Sequence, residues 1–192
     1  SFLRRARKNV IVVLDEAYNE YLDPALRCPS IDWIASYPNL MVTRTFSKVY
    51  GLAGLRVGYA VCRAEIADLL NRVRQPFNVN NLAIVGAVAA LTDHDFLRES
   101  FEFNLAGMQQ LQDGCKRLGI SWIPSHANFI TVEIPRVNDQ SQGGAVFQKL
   151  LRKGVIVRPL SGYAMPDHLR VTLGLPSENA RFLEALDQVL KA

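Results

Sequence analysis

Lys48 is the residue whose sequence surroundings most directly indicate chemistry. Ser47 and Lys48 follow the strand-like segment LMVTRT at residues 40–45, and Asp15 follows a mostly β-branched segment at residues 10–14. If both segments are strands of a parallel sheet, their carboxyl ends meet at one edge, where ligands bind. A lysine amine opposite a carboxylate predicts Schiff-base chemistry, in which the amine holds a carbonyl cofactor and the carboxylate holds its ring nitrogen.

Taken one at a time, these and other candidate residues also have ordinary structural explanations. Asp15 alone is better explained as a helix N-cap or a loop carboxylate, and Lys48 alone as a solvated surface lysine. Arg158 and Arg170 lie at or within short apolar strands, where a buried guanidinium needs an anionic partner. That partner is either a substrate or a structural ion pair. For Asn128, substrate binding and turn chemistry are equal alternatives.

The apolar pattern predicts strands and helices that position these side chains. Strands are predicted at residues 10–14, 40–45, 55–62, 129–134, 155–158 and 168–173. Helices are predicted at residues 64–74, 80–91, 95–118, 145–153 and 177–190. The first strand has the continuous apolar run of a strand buried on both faces, and Ser177 is a candidate cap of the last helix.

The order of these elements predicts an α/β protein with two domains. Residues 1–94 are expected to form part of a large domain with a mainly parallel sheet and helices. Residues 95–192 are expected to form a small α+β domain, which the chain enters through a long connecting helix.

Composition excludes several other classes of protein. The 192 residues are 49% apolar and 21% charged, which is typical of a globular protein. No apolar run approaches the roughly 20 residues that cross a bilayer, and a net charge of +4 without a dense basic stripe argues against nucleic-acid binding. Cys28, Cys62 and Cys115 are odd in number and widely separated, which indicates neither a disulfide framework nor a metal site. We expect a cytoplasmic protein with small-molecule ligands.

Several motifs in register carry a family resemblance. Asp15-Glu16-Ala17-Tyr18, Thr45-Phe46-Ser47-Lys48 and the segment 52–59, LAGLRVGY, resemble in order and spacing the fold type I aminotransferases that use pyridoxal 5'-phosphate (PLP). The C-terminal motifs are more narrowly similar to the histidinol-phosphate aminotransferase family; they are SHANF at 125–129, VIVRPL at 155–160, GY at 162–163 and LRVTLG at 169–174. The resemblance covers essentially the whole chain.

The resemblance implies a role for each residue of the first set of motifs. Lys48 is implied to be the Schiff-base lysine and the base that moves a proton from the substrate Cα. Asp15 is implied to pair with the pyridine nitrogen, and Tyr18 with the phenolic oxygen of the ring; a core tyrosine is the alternative for Tyr18. Ser47 and Arg56 are implied to bind the cofactor phosphate.

The resemblance also implies the substrates. Arg170 is implied to meet the acidic group of the substrate, with Arg158 beside it, and Asn128 is a further candidate. The favoured reaction is amino transfer between L-histidinol phosphate and 2-oxoglutarate in histidine biosynthesis, in a homodimer. An aromatic or broad-range aminotransferase, or a PLP-dependent decarboxylase of a phosphorylated amino acid, would share every motif. A non-catalytic fragment of the same fold is the alternative from another class.

The length is short for this family. Its members carry the Asp15 strand in the middle of the large domain. We therefore expect an N-terminal arm, a glycine-containing phosphate loop, an aromatic residue that stacks on the PLP ring and an asparagine beside its phenolic oxygen to precede residue 1. The chain is expected to be the C-terminal part of an enzyme, and whether it is active alone is left open.

Overall fold

A computed structural model describes residues 2–191, so Ser1 and Ala192, the outer ends of the two predicted domains, lie outside the described residues. The chain divides into two compact units, residues 1–100 and 101–192. Helix α5 (His94–Arg117) runs across this division. The domain boundary expected from the sequence falls at the start of that helix, six residues before the division between the units.

The first unit contains a three-stranded sheet in the order β1-β2-β3. The strands are β1 (Val12–Asp15), β2 (Leu40–Thr45) and β3 (Gly58–Cys62). β1 and β2 are parallel, whereas β3 runs antiparallel to β2, so this sheet is mixed rather than mainly parallel. The connection from β2 to β3 has no crossover helix, which a parallel pair requires.

Two strands of this sheet differ from the prediction, β1 in its burial and β3 in its extent. β1 is an edge strand with a neighbour on one side only, and Val13 is 52% exposed, so the prediction of burial on both faces is wrong within this chain. β3 begins three residues later than predicted, because Ala53–Leu55 form a 3-10 turn and Arg56 has a left-handed backbone with φ of 54°.

Among the described residues, the α-helices that lie wholly within the first unit are α1 (Phe2–Arg5), α2 (Trp33–Ser36), α3 (Ala64–Val73) and α4 (Asn81–Thr92). Asn80 caps α4, since its side chain accepts a hydrogen bond from the Ala83 amide at 2.8 Å. The core under the sheet is small and centres on Ile34, Leu40 and Val42. Several apolar side chains of α4 do not join this core and are exposed.

The second unit contains an antiparallel sheet in the order β4-β5-β7-β6. Its elements are β4 (Ser121–Ile123), β5 (Phe129–Glu133), β6 (Arg158–Pro159), β7 (His168–Thr172), α6 (Gly143–Arg152) and α7 (Pro176–Leu190). Apolar side chains of α5, α6, α7 and the sheet form one continuous core, which includes the fully buried Leu111, Ile130, Leu150 and Leu186. β4 has only three residues and was not predicted.

The predicted strand at 155–158 is wrong over most of its length. Val155 donates its amide to the Leu150 carbonyl at 3.0 Å, at the end of α6, and Val157 is buried in the core. The apolar run therefore reflects core packing, and only Arg158 of the predicted range is part of β6. The predicted Ser177 cap is also wrong, because Leu175 is the N-cap and Pro176 opens α7.

Within residues 2–191, no helix is both long and apolar enough to cross a membrane.

Candidate active site

Asp15 is the last residue of β1 and lies opposite Thr43 of β2. Its Oδ1 atom accepts hydrogen bonds from the Ala17 amide at 3.1 Å and from the Thr43 hydroxyl at 3.4 Å. The strand end and the turn after it therefore hold the carboxylate in place. Its side chain is exposed, so a ligand can reach it.

Lys48 follows β2 and faces the segment that follows Asp15. The Lys48 Nζ atom lies 5.2 Å from the centroid of the Tyr18 ring, within the range of a cation-π contact. Tyr18 lies three residues after Asp15. The preceding turn is fixed by the Ser47 amide, which donates to the Thr45 hydroxyl at 3.0 Å. The fold therefore brings the lysine predicted after β2 to the tyrosine predicted after β1.

Arg56 lies in the turn before β3 with a left-handed backbone, which is uncommon for residues other than glycine and occurs often at ligand sites. Its exposed guanidinium donates from Nη1 to the Ala53 carbonyl at 3.0 Å. Two residues on, a Cβ atom on Gly58 would lie 2.8 Å from the Arg44 carbonyl oxygen, so only glycine fits there. Gly54, by contrast, has open space around it.

Sequence reasoning missed an ion pair beside Asp15. Arg44 donates from Nε and Nη2 to the same carboxylate oxygen of Glu16, at 3.0 and 2.8 Å. Burial lowers the pKa of Arg44, but hydrogen bonds to Glu16 and Tyr59 outweigh burial and raise it above its ordinary value. The available signal was an arginine inside the predicted strand at residues 40–45, together with an acid next to Asp15.

The surroundings of this ion pair are partly desolvated. Burial raises the pKa of the Glu20 carboxyl, and the positive charges of Arg44 and Arg27 offset only part of that rise. Burial and then the charge of Glu20 raise the pKa of Tyr50. Charges here interact more strongly than in bulk water.

In the second unit, Arg158 and Arg170 lie directly opposite each other in the pairing of β6 and β7. The Arg170 guanidinium carbon lies 4.9 Å from the Phe129 ring centroid, and that of Arg158 lies 6.0 Å from the Tyr163 ring centroid. Arg158 Nη2 also donates to the Tyr163 hydroxyl at 3.4 Å. Like charges placed opposite one another destabilise a sheet. Among residues 2–191, neither arginine forms an ion pair with a carboxylate, and the buried Nε of Arg170 has no hydrogen-bond partner. The arrangement suits an anion.

Asn128 stands at the start of β5, and its backbone carbonyl accepts from the Leu173 amide at 2.9 Å. The buried Asn104 holds the same loop, since its Nδ2 atom donates to the Ala127 carbonyl at 3.3 Å. These bonds fix the loop beside β7, which carries Arg170. Over the described part of the chain, no three His, Cys, Asp or Glu side chains gather as metal ligands would.

The fold is that of the fold type I aminotransferases. The crystal structure of histidinol-phosphate aminotransferase from Sinorhizobium meliloti in complex with pyridoxal-5'-phosphate superposes with a TM-score of 0.90 and 28% identity, over 99% of this chain and 51% of that one. The L-threonine-O-3-phosphate decarboxylase from Porphyromonas gingivalis shares the fold, with a TM-score of 0.78 and 21% identity over 96% of this chain and 56% of that one.

Sequence comparison defines the family. The family model "Aminotransferase class I and II" matches residues 2–186, and the chain belongs to this family. A curated relative, histidinol-phosphate aminotransferase 1 of Dechloromonas aromatica (strain RCB), is 58% identical over 190 residues. The match covers 99% of this chain and 51% of that protein, so the chain spans about half the length of the curated relatives it matches.

Proposed function

We propose that this chain carries the catalytic lysine of a PLP-dependent aminotransferase that transfers an amino group between L-histidinol phosphate and 2-oxoglutarate in histidine biosynthesis. The observation that carries the proposal is the approach of the Lys48 amine to Tyr18, in the segment that directly follows Asp15 at the end of β1. The high identity to histidinol-phosphate aminotransferases supports the choice of substrate.

The residues of the first unit suit PLP chemically. Within residues 2–191, both hydrogen bonds to the Asp15 carboxylate use Oδ1, which leaves Oδ2 available to a protonated ring nitrogen. When bound, PLP supplies a carbonyl carbon that reacts with amines and a ring that takes up the electron pair left on the substrate Cα. Tyr18 would donate to the phenolic oxygen of the ring, and Ser47 and Arg56 would donate to the phosphate.

Lys48 is the proposed base for the proton of the substrate Cα. Its amine would hold the cofactor at the carbonyl carbon when no substrate is bound. The same amine would be the base that accepts the proton of the substrate Cα and later donates it. Asp15 would keep the ring nitrogen protonated, because a carboxylate beside that atom favours its charged form.

Arg170 and Arg158 bind the acidic group of the substrate. A buried donor without a partner costs about 1–3 kcal/mol. The Nε of Arg170, which has no hydrogen-bond partner within residues 2–191, is relieved of that cost when it donates a hydrogen bond to a phosphate or carboxylate. The phosphate of histidinol phosphate and a carboxylate of the second substrate are both such acceptors. We assign Asn128, whose loop is tied to β7, to the same substrate end.

We further propose a cytoplasmic homodimer. The aminotransferase resemblance supports the dimer, and the three free cysteines suit a reducing compartment. Sedimentation of the purified protein measures its oligomeric state, and a monomer at all concentrations would contradict the dimer.

Visible absorbance of the purified protein with added PLP tests the cofactor assignment. We expect a Lys48-dependent absorption band, with Lys48→Ala as the control that lacks it. A protein whose spectrum is the same with and without the lysine would be a non-catalytic member of the fold.

Single-turnover bleaching of that band tests the substrate. We expect L-histidinol phosphate to bleach it at lower concentration than phenylalanine. An equal or stronger response to phenylalanine would identify an aromatic or broad-range aminotransferase. Release of carbon dioxide from a phosphorylated amino acid would identify a decarboxylase.

A further inference from the structure

Glu16 and Arg44 form a largely buried ion pair beside the candidate site. Their side chains are 9% and 21% exposed, and two N–H groups of the guanidinium point at one carboxylate oxygen. Such charge-assisted bonds are short and directional. The relative position of the two backbones that carry them is therefore restricted.

The ion pair connects the two chain segments that carry the proposed chemistry. Glu16 directly follows Asp15, and its amide donates to the Thr43 carbonyl at 2.9 Å, which continues the β1–β2 pairing. Arg44 is the next residue of β2 and lies four positions before Lys48. A displacement between the two strands would therefore move the carboxylate relative to the lysine.

A displacement of one residue between β1 and β2 would exchange the positions of two carboxylates. Asp15 and Glu16 are adjacent carboxylates, and successive side chains of an extended segment point to opposite faces. A slip of one residue would present Glu16 where Asp15 belongs. A buried ion pair adds little net stability compared with an apolar pair of similar size. Because Arg44 donates to the Glu16 carboxylate, however, the ion pair fixes which of the two adjacent acids faces Arg44.

We propose that Glu16 and Arg44 are positioning residues that fix the register of β1 against the segment leading to Lys48, so that the Asp15 carboxylate and the Lys48 amine are presented together. The consequence for cofactor binding rests on the proposed function. The register itself is a property of the protein without cofactor, and it is measurable separately.

Spectroscopic titration with PLP tests the consequence. We expect Glu16→Gln and Arg44→Lys each to weaken PLP binding about tenfold, which is the size of effect seen when metal ligands lose a supporting partner. Urea unfolding of each variant identifies conditions under which every protein compared is fully folded. The double variant is expected to bind PLP as tightly as the single variant with the lower affinity, because the two residues act as one unit. Asp167→Asn, which breaks the ion pair with Arg136 in the second unit, is the matched control and should leave PLP binding unchanged.

Amide hydrogen exchange without PLP tests the register. We expect the Glu16 and Ala17 amides to exchange faster in both single variants than in Asp167→Asn, since these amides bond to the Thr43 carbonyl and the Asp15 carboxylate. Unchanged exchange, or PLP binding no weaker than in the control, would overturn the inference. A wild-type protein with no Lys48-dependent band would contradict the proposed function alone, and exchange would then decide the inference. If Glu16→Gln does not fold, the charge-conserving Arg44→Lys decides both measurements.

Discussion

The two units of this chain differ in how completely they bury their apolar side chains. The second unit has one continuous core shared by α5, α6, α7 and its sheet. The first unit has a small core, and Leu82, Val85 and Val88 of α4 are 79%, 69% and 62% exposed. The proposed proton chemistry thus lies on the sparsely packed unit, and the proposed anion site on the densely packed one. The unit with the larger apolar core is therefore not the unit that carries the proposed Schiff-base lysine.

The largest expected effect tests the difference in packing. Leu186→Ala, in the core of the second unit, should lower the free energy of unfolding by about 4 kcal/mol, because it removes buried methyl groups and leaves a cavity. Leu82→Ala, its counterpart on the exposed face of α4, should change it by less than about 0.5 kcal/mol. Urea denaturation measures both. Equal costs would show that the α4 face is covered in solution, and the comparison would fail.

The next effect separates the chemistry of the two units. Arg170→Ala should raise the concentration of L-histidinol phosphate that bleaches the Lys48-dependent band about a hundredfold, since loss of one partner of a buried charged contact costs about 3 kcal/mol. The band itself should be retained, because the residues proposed to bind PLP are in the first unit. Loss of the band in this variant would contradict the division of roles.

Two adjacent glycines test how tightly α6 packs in the second unit. A Cβ atom on Gly143 would lie 2.2 Å from the Pro166 carbonyl oxygen, whereas Gly144 has open space. Gly143→Ala should lower the free energy of unfolding by about 2 kcal/mol, and Gly144→Ala should raise it by about 0.5 kcal/mol. Thermal or urea unfolding distinguishes them, and equal behaviour would mean that the start of α6 is loosely held.

The smallest effect is a pH dependence within the second unit. Interactions with Ser141 and Arg136 hold the pKa of Asp167 below its ordinary value. A lowered pKa in the folded state means that this stabilisation is complete above about pH 4 and is lost as the pH falls through the folded-state value. Asp167→Asn should therefore show a smaller loss of stability between neutral and acidic pH than the wild type. A parallel pH profile would assign acid sensitivity to other carboxylates.

Much of the fold was predictable because local patterns were strong. The predicted range of β2 matches the structure at both ends, and the helices at α3, α4 and α7 begin or end within one residue of their predicted positions. The errors came where an apolar run had a different cause. Val155 and Val157 are apolar because they adjoin or enter the core, and a short strand such as β4 carries too few residues for a pattern to emerge.

The sequence by itself determined which functional groups this protein has and which elements carry them: an acid at the end of one strand, a lysine after the next, and arginines on C-terminal strands. These are properties of residue type and local order, and all of these residues lie within the range 2–186 that the family model matches. Only the tertiary structure decided which groups meet. The contact of Lys48 with Tyr18, the ion pair of Glu16 with Arg44 and the opposition of Arg158 to Arg170 depend on strand pairing and register, which connect residues distant along the chain. Local periodicity indicates which side chains of a strand face the core. It does not indicate which strand is the neighbour or which residues lie opposite one another.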